Sequence, residues 1–401
     1  MTPRERVVAT LQHQVPDRIP IDFGGTAETG ITGVAYGHLR RYLGLEGEDW
    51  RLFDLNQQLA LVEPPARQFA GGDVLLLAYG AQQYRPWRLP DGTPCQVPAQ
   101  WQPVRDEQGG DVLMGPHGQP LLRRPASSYW FDPAGPLCPG LDSIGDIPRF
   151  LPMIKIMDRA PYHDEPLAQL AARARRLYQE TDYALVGLFG GHIFAAAQLL
   201  RGMENFMCDL VADPTFAQAL MDTLAEAHMA EFEHYLEAVG PYLQVIHVAD
   251  DLGAQNGPQI SPELFRRLVR PPMARLYRFI KQRTQAKLFL HSCGSVYRLI
   301  PDLIEMGVDI LNPVQVSAAD MDTARLKREF GRDLVFWGGG CDTQRVLPFG
   351  TPAQVRAEVK RRLADLGPEG LVFAQVHNIQ PGVPPQNLDA LWAAAREFGA
   401  L

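Results

Sequence analysis

Three features of this 401-residue sequence predict an α/β fold, a closed (β/α)8 barrel carrying an extended β-hairpin-rich insertion. About eight short apolar runs alternate with helical patterns of roughly ten or more residues, the mark of parallel βαβ units. Each run ends in polar residues or glycine, and a closed barrel gathers such ends on its functional face. No G-x-G-x-x-G follows the first run, which argues against an open dinucleotide-binding sheet.

Thr2-Pro3-Arg4-Glu5 is a capping box with proline at the first helical position. It opens an amphipathic helix over 3–13, which Pro16 ends. Arg18–Phe23 reads as the first strand, and Gly24-Gly25 lets the chain turn sharply or approach a ligand closely. A helix over 34–43 and a loop lead to a strand at Val74–Leu77. From about 80 to 160 helical periodicity disappears. Pairs such as Asp91-Gly92 and His117-Gly118 separate short extended pieces there, as in a hairpin meander. This stretch is too poor in apolar residues for its own core, so residues 1–401 read as one barrel domain with an insertion. Beyond Asp164 the alternation is regular. Strands are expected over 183–189, 242–248, 287–290, 308–311, 334–337 and 371–375. Helices are expected over 165–180, 193–200, 203–210, 213–239, 261–284, 295–306, 321–330, 351–365 and 386–398. Asp213-Pro214 and Thr351-Pro352-Ala353-Gln354 supply caps for two of them.

The net charge of −8 comes from 46 acidic and 38 basic residues, with no basic run, so nucleic acid is excluded as a partner. No apolar stretch approaches the ~20 residues of a membrane span, and the first residues lack the apolar core of a secretory signal. The five cysteines are odd in number and widely spread, which argues against a disulfide framework. Together these features predict a cytoplasmic protein with a small-molecule substrate and no membrane partner. A homodimer is compatible with such a barrel.

The chemistry concentrates in Lys287–Gly294. On an extended backbone residues i and i+2 point the same way, so His291 and Cys293 leave the strand end on one face. Cys341 follows the strand 334–337 after three glycines, and His377 ends the strand 371–375. One imidazole and two soft donors from separate strand ends make a Zn²⁺ site with an open fourth position. The third ligand is either Cys341 or His377. Asp250 and Asp251 follow another strand and read as ligand or general acid, or as loop residues capping a helix. His377 is also a candidate catalytic group. Phe23, Gly24, His192, Asn312, Gln315 and Asn378 stand at strand ends, placed to contact a polar substrate. Cys95, Cys138 and Cys208 show no ligand spacing and read as structural. Zinc-bound thiol is held as thiolate, and soft ligands temper Lewis acidity, which favours thiolate alkylation over hydrolysis.

Several stretches resemble the uroporphyrinogen decarboxylase superfamily, which includes corrinoid-dependent methylcobamide:thiol methyltransferases. They are Leu200–Phe206, Asp250–Gly253, Ser261–Phe265, His291–Gly294, Asp309–Gln315, Phe336–Gln344 and His377–Pro385, with the N-terminal Thr2–Phe23 segment. About two-thirds of the chain is covered, and the resemblance implies a TIM barrel. True decarboxylases of this superfamily carry an arginine-bearing loop, R-Q-A-G-R, where this chain has Asp22-Phe-Gly-Gly-Thr-Ala27. They also lack a cysteine two residues after the histidine. His291 and Cys293 match the methyltransferases' zinc ligands, and the family's third ligand falls nearer His377 than Cys341. The resemblance thus implies a zinc-dependent methyltransferase with a corrinoid co-substrate and a corrinoid protein as partner. Two rival readings stand beside it: metal-free decarboxylation of a porphyrinogen-like substrate, and a non-catalytic barrel that binds a corrinoid or tetrapyrrole.

Overall fold

The computed structural model describes residues 1–115, 118–154 and 162–401. Seven parallel strands form one curled sheet: β1 (Val74–Leu77), β2 (Ala184–Gly190), β3 (Val245–Ala249), β4 (Lys287–His291), β5 (Ile310–Asn312), β6 (Val335–Trp337) and β7 (Leu371–Val372). Neighbours in the sheet are neighbours in the chain, as successive βαβ units require. The segment expected as the first strand is an irregular stave. Ile21 bridges Phe373 in parallel, Phe373 N donates to Pro20 O, and Asp22 N donates to Phe373 O. On its other side Asp73 N donates to Ile21 O. Pro20 has no N–H to give, so the ladder there stays sparse. Residues 19–22 therefore stand between β7 and β1 and close the ring.

Side-chain alternation divides the core into two layers. Val186, Val245, Phe289, Ile310, Val335, Trp337 and Val372 fill the barrel interior, with Val7 and Leu11 of the N-terminal helix at its base. Leu185, Leu288 and Leu290 point outward to the helices. Helices Pro214–Val239, Arg270–Lys281, Pro352–Leu366 and Pro385–Phe398 belong to that outer layer. Asp213 caps the first of these through Phe216 N, and Thr351 with Gln354 forms the expected capping box. The helix expected over 261–284 is interrupted by a π-helical turn at Phe265–Val269. The stretch read as a loop before β1 contains a hairpin, Leu52–Asp54 with Leu59–Ala60, and a helix, Pro64–Ala70. Both are too short to show a period.

The insertion is hairpin-built. Tyr84–Arg88 pairs antiparallel with Pro94–Pro98. Val104–Arg105, Asp111–Met114, Pro120–Arg124 and Asp132–Pro133 form a four-stranded antiparallel sheet. His117 and the insertion's far end, 155–161, lie outside the described residues. Among the described residues no helix is long and apolar enough to cross a membrane.

Ring closure is clamped by one buried carboxylate. Asp73 is fully buried; Oδ2 accepts Ile21 N at 2.8 Å, and its oxygens take Arg6 Nη1 at 2.6 Å and both Arg18 terminal nitrogens at 2.8 Å. Removing it leaves Arg6 Nη1 and the Ile21 N–H without their partner, while Asp17 still holds the rest of the Arg6 guanidinium. Asp73→Ala is therefore expected to lower the unfolding free energy in urea by about 3–5 kcal/mol. A loss below ~1 kcal/mol would show that the clamp does not hold the seam.

Candidate metal centre

The C-terminal ends of β3, β4 and β5 lie side by side because their register is unbroken: Ala249 opposes His291, and His291 opposes Asn312. That register fixes the His291 ring. Asn312 Nδ2 donates to Trp337 O at 2.8 Å, so its Oδ1 faces the imidazole and accepts from Nδ1–H at 2.7 Å. In the neutral ring Nε2 then carries the lone pair toward the cavity, the tautomer a metal ligand needs. The turn beyond is equally constrained. Asp251 Oδ1 accepts Cys293 N at 2.8 Å, and Gln315 Oε1 accepts Gly294 N at 2.7 Å. Gly294 has φ +85°, and a Cβ there would sit 2.5 Å from the Gly253 carbonyl carbon.

These constraints bring Cys293 Sγ to 3.4 Å from His291 Nε2. His377, at the end of the β7 stave, completes a triad. One ligand atom from each of His291, Cys293 and His377 lies within 4.8 Å of the others, the one such donor group among the described residues. A tetrahedral Zn²⁺ would place a sulfur and an imidazole nitrogen about 3.5 Å apart, so the donor set fits. The charges fit as well. Burial pushes the Cys293 thiol up, but the neighbouring imidazoles of His291 and His377 outweigh it and lower it to about 7. Burial pulls both imidazoles down, yet Glu28 and Cys293 raise His291 well above its ordinary value, and Cys293 chiefly raises His377. The triad attracts positive charge and offers a thiolate.

Cys341 is not part of it, which corrects the reading of that residue as a ligand. Gly338 and Gly339, both at positive φ, turn the chain outward after β6. Cys341 is fully buried against helix Pro352–Leu366, its Sγ 3.8 Å from Glu358 Oε2. Burial and Glu358 push that thiol far up.

The other expected site residues divide. Asp250, Asp251 and His192 line the cavity. Asp250 is buried, its oxygens accepting from the backbone N–H groups of Ile193, Phe194 and Ala195, so it caps the helix Phe194–Arg201 from outside. Burial raises its carboxyl despite those bonds. Asp251, half-exposed, has Oδ1 3.8 Å from His291 Nε2. Asn312 and Gln315 hold His291 and the Cys293 turn rather than standing free for substrate. Asn378, buried, donates to Gln57 Oε1 at 2.7 Å, and Gln57 reaches the cavity in its place. Phe23 is core, packed on Trp392 with ring centroids 4.4 Å apart. Gly24 is a tight turn at φ +79°, where a Cβ would meet Val62 at 2.5 Å.

The cavity measures about 710 Å³ and also includes Pro133 and Pro136 from the insertion. Sequence reasoning missed a second buried carboxylate of the cavity. Glu28 lies in the 24–30 loop, which Asp22 anchors by accepting Gly25 N at 2.7 Å and Trp337 Nε1 at 2.8 Å. Glu28 Oε2 meets His247 Nε2 at 3.0 Å. Burial pushes its carboxyl up, but the charges of His247 and His291 hold it well below the usual range. The loop was singled out for its glycines; a lone glutamate three residues on carries no pattern.

Comparison with known proteins bears on the same residues. The family model described as uroporphyrinogen decarboxylase (URO-D) matches residues 146–398. The chain belongs to this family. Its curated relatives include proteins named uroporphyrinogen decarboxylase from Saccharophagus degradans, 24% identical over 251 residues, and from Anaeromyxobacter sp. strain Fw109-5, 27% identical over 243 residues. Each match covers 60% of this chain and 66% of the relative, just under two thirds of its length. A solved structure of a methyltransferase from Methanosarcina mazei aligns over 99% of both chains with a TM-score of 0.60 at 18% identity. That likeness establishes the shared barrel fold.

Removing the carbonyl that holds Nδ1–H frees the His291 ring to rotate. Asn312→Ala is expected to weaken zinc binding about 10–100-fold in competition with a chromophoric chelator. Unchanged affinity in a folded variant would show that His291 is not held for a metal.

Proposed function

We propose that this protein is a zinc-dependent methyltransferase that moves a methyl group between a corrinoid, free or carried on a protein, and a thiol or related acceptor. One observation carries the reading: His291, Cys293 and His377 converge at the mouth of the barrel on a cavity large enough for a substrate. A bound zinc ion supplies one thing there, the power to hold an entering thiol as thiolate at neutral pH. Asn312 fixes the His291 ring, and Asp251 and Gln315 fix the Cys293 turn, so the donors are organised before a ligand arrives. Asp251 and His192 border the same space and orient the acceptor.

The name of the curated relatives favours a second reading, metal-free decarboxylation of a porphyrinogen-like substrate. The cavity speaks against it. Among the described residues lining it there is no Arg or Lys, so a polycarboxylate would meet Glu28 and Asp251 with only histidines to offset them.

Protein reconstituted with zinc and freed of excess metal is expected to hold one zinc per chain by mass spectrometric metal analysis. Cys293→Ala should lose it and Cys341→Ala should keep it. The reconstituted wild type should demethylate methylcobalamin in the presence of a thiol. Absence of stoichiometric zinc, or release of CO₂ from uroporphyrinogen by metal-free protein, would contradict the proposal.

A further inference from the structure

Glu28 is 8% exposed yet lines the cavity. Its Oε2 is engaged by His247, and Oε1 has no side-chain hydrogen bond among the described residues. The pair is itself unusual, because His247 Nδ1 is buried without a hydrogen-bond partner among the described residues. A carboxylate at the edge of a substrate cavity with one side-chain partner has hydrogen-bonding capacity left for a ligand. Glu28, His291 and His377 line the same cavity, so whatever Glu28 receives shares that space with the metal-binding triad.

The charge balance says what that ligand is. Zinc with one thiolate and two neutral imidazoles carries a formal charge of about +1. Asp250 is matched by three backbone N–H groups at a helix N-terminus. Glu28, which His247 meets on one oxygen, and Asp251 remain, with no Arg or Lys among the described lining residues. A thiol bearing a carboxylate or sulfonate would add a further negative charge. One bearing an ammonium group would offset Glu28 through a charge-assisted hydrogen bond.

We propose that the acceptor taken into this cavity is a short aminothiol, its sulfur directed to the His291–Cys293–His377 triad and its ammonium to Glu28. This inference rests on the methyl-transfer reading above and makes Glu28 a specificity-determining residue. Gln57, Gln198 and Gln259 complete a polar lining that imposes no opposing charge.

The test is calorimetric binding of cysteamine, 2-mercaptoethanol and 3-mercaptopropionate to the zinc-loaded protein, in wild type and Glu28→Gln. The glutamine keeps the shape and an acceptor for His247. Thiol acidity differs among the probes, so the deciding quantity is the change in the cysteamine to 3-mercaptopropionate affinity ratio. It is expected to fall about tenfold or more in Glu28→Gln, with zinc stoichiometry intact. A second measurement needs no variant: propylamine should compete with 2-mercaptoethanol for the wild type, and propionate should not. Thiol binding with an unchanged ratio, or competition by propionate equal to that of propylamine, overturns the inference and leaves the methyltransferase reading standing. Failure of all three thiols to bind overturns both.

Discussion

The hydrogen bond between His291 Nδ1 and Asn312 Oδ1 is the constraint on which the site depends. It exists because β4 and β5 pair in parallel with His291 opposite Asn312, and because Trp337 O occupies the asparagine's amide nitrogen. Three adjacent strands thereby fix one imidazole tautomer. Cys293, two residues on, is fixed by carboxylate and amide groups from the ends of β3 and β5. His377 arrives from the far side of the ring, so its place beside them depends on the barrel being closed. Closure in turn rests on residues 19–22 and on Asp73, whose charge is neutralised by Arg6 and Arg18.

The same segment that closes the ring also sets the charge of the cavity. Asp22 anchors the following loop through Gly25 and Trp337, and the loop delivers Glu28 to His247. Burial raises the Asp22 carboxyl to about 6 against the pull of its hydrogen bonds, while Glu28 is held ionised by imidazoles. Two carboxylates six residues apart thus have opposite electrostatic fates, and only the second reaches the cavity. A cationic or neutral ligand suits that environment better than an anionic one.

Much of the fold was legible because its signals are local. Apolar runs located every stave, and capping boxes located several helix starts. His291 and Cys293 were legible for the same reason, since their i, i+2 spacing is a property of the strand itself. The rest of the site was not. Cys341 and His377 both follow strand ends, and nothing in sequence distinguishes a turn that leads inward from one that Gly338 and Gly339 direct outward. Asn312 and Gln315 were recognised as polar strand-end groups, but that they serve neighbouring strands depends on register across the sheet. Glu28 and His247 are 219 positions apart, and their contact is created by ring closure alone. Phe23 and Gly24 show the converse, residues in the right loop whose side-chain directions place them in core and turn.

The account is tested most directly by X-ray absorption at the zinc edge of the reconstituted protein. It predicts a single sulfur at about 2.3 Å and two imidazole nitrogens at about 2.0–2.1 Å, with the remaining position filled by a light atom. A first shell containing two sulfurs would return Cys341 to the metal and contradict the assignment of His377. A sample that takes up no zinc would contradict the account as a whole.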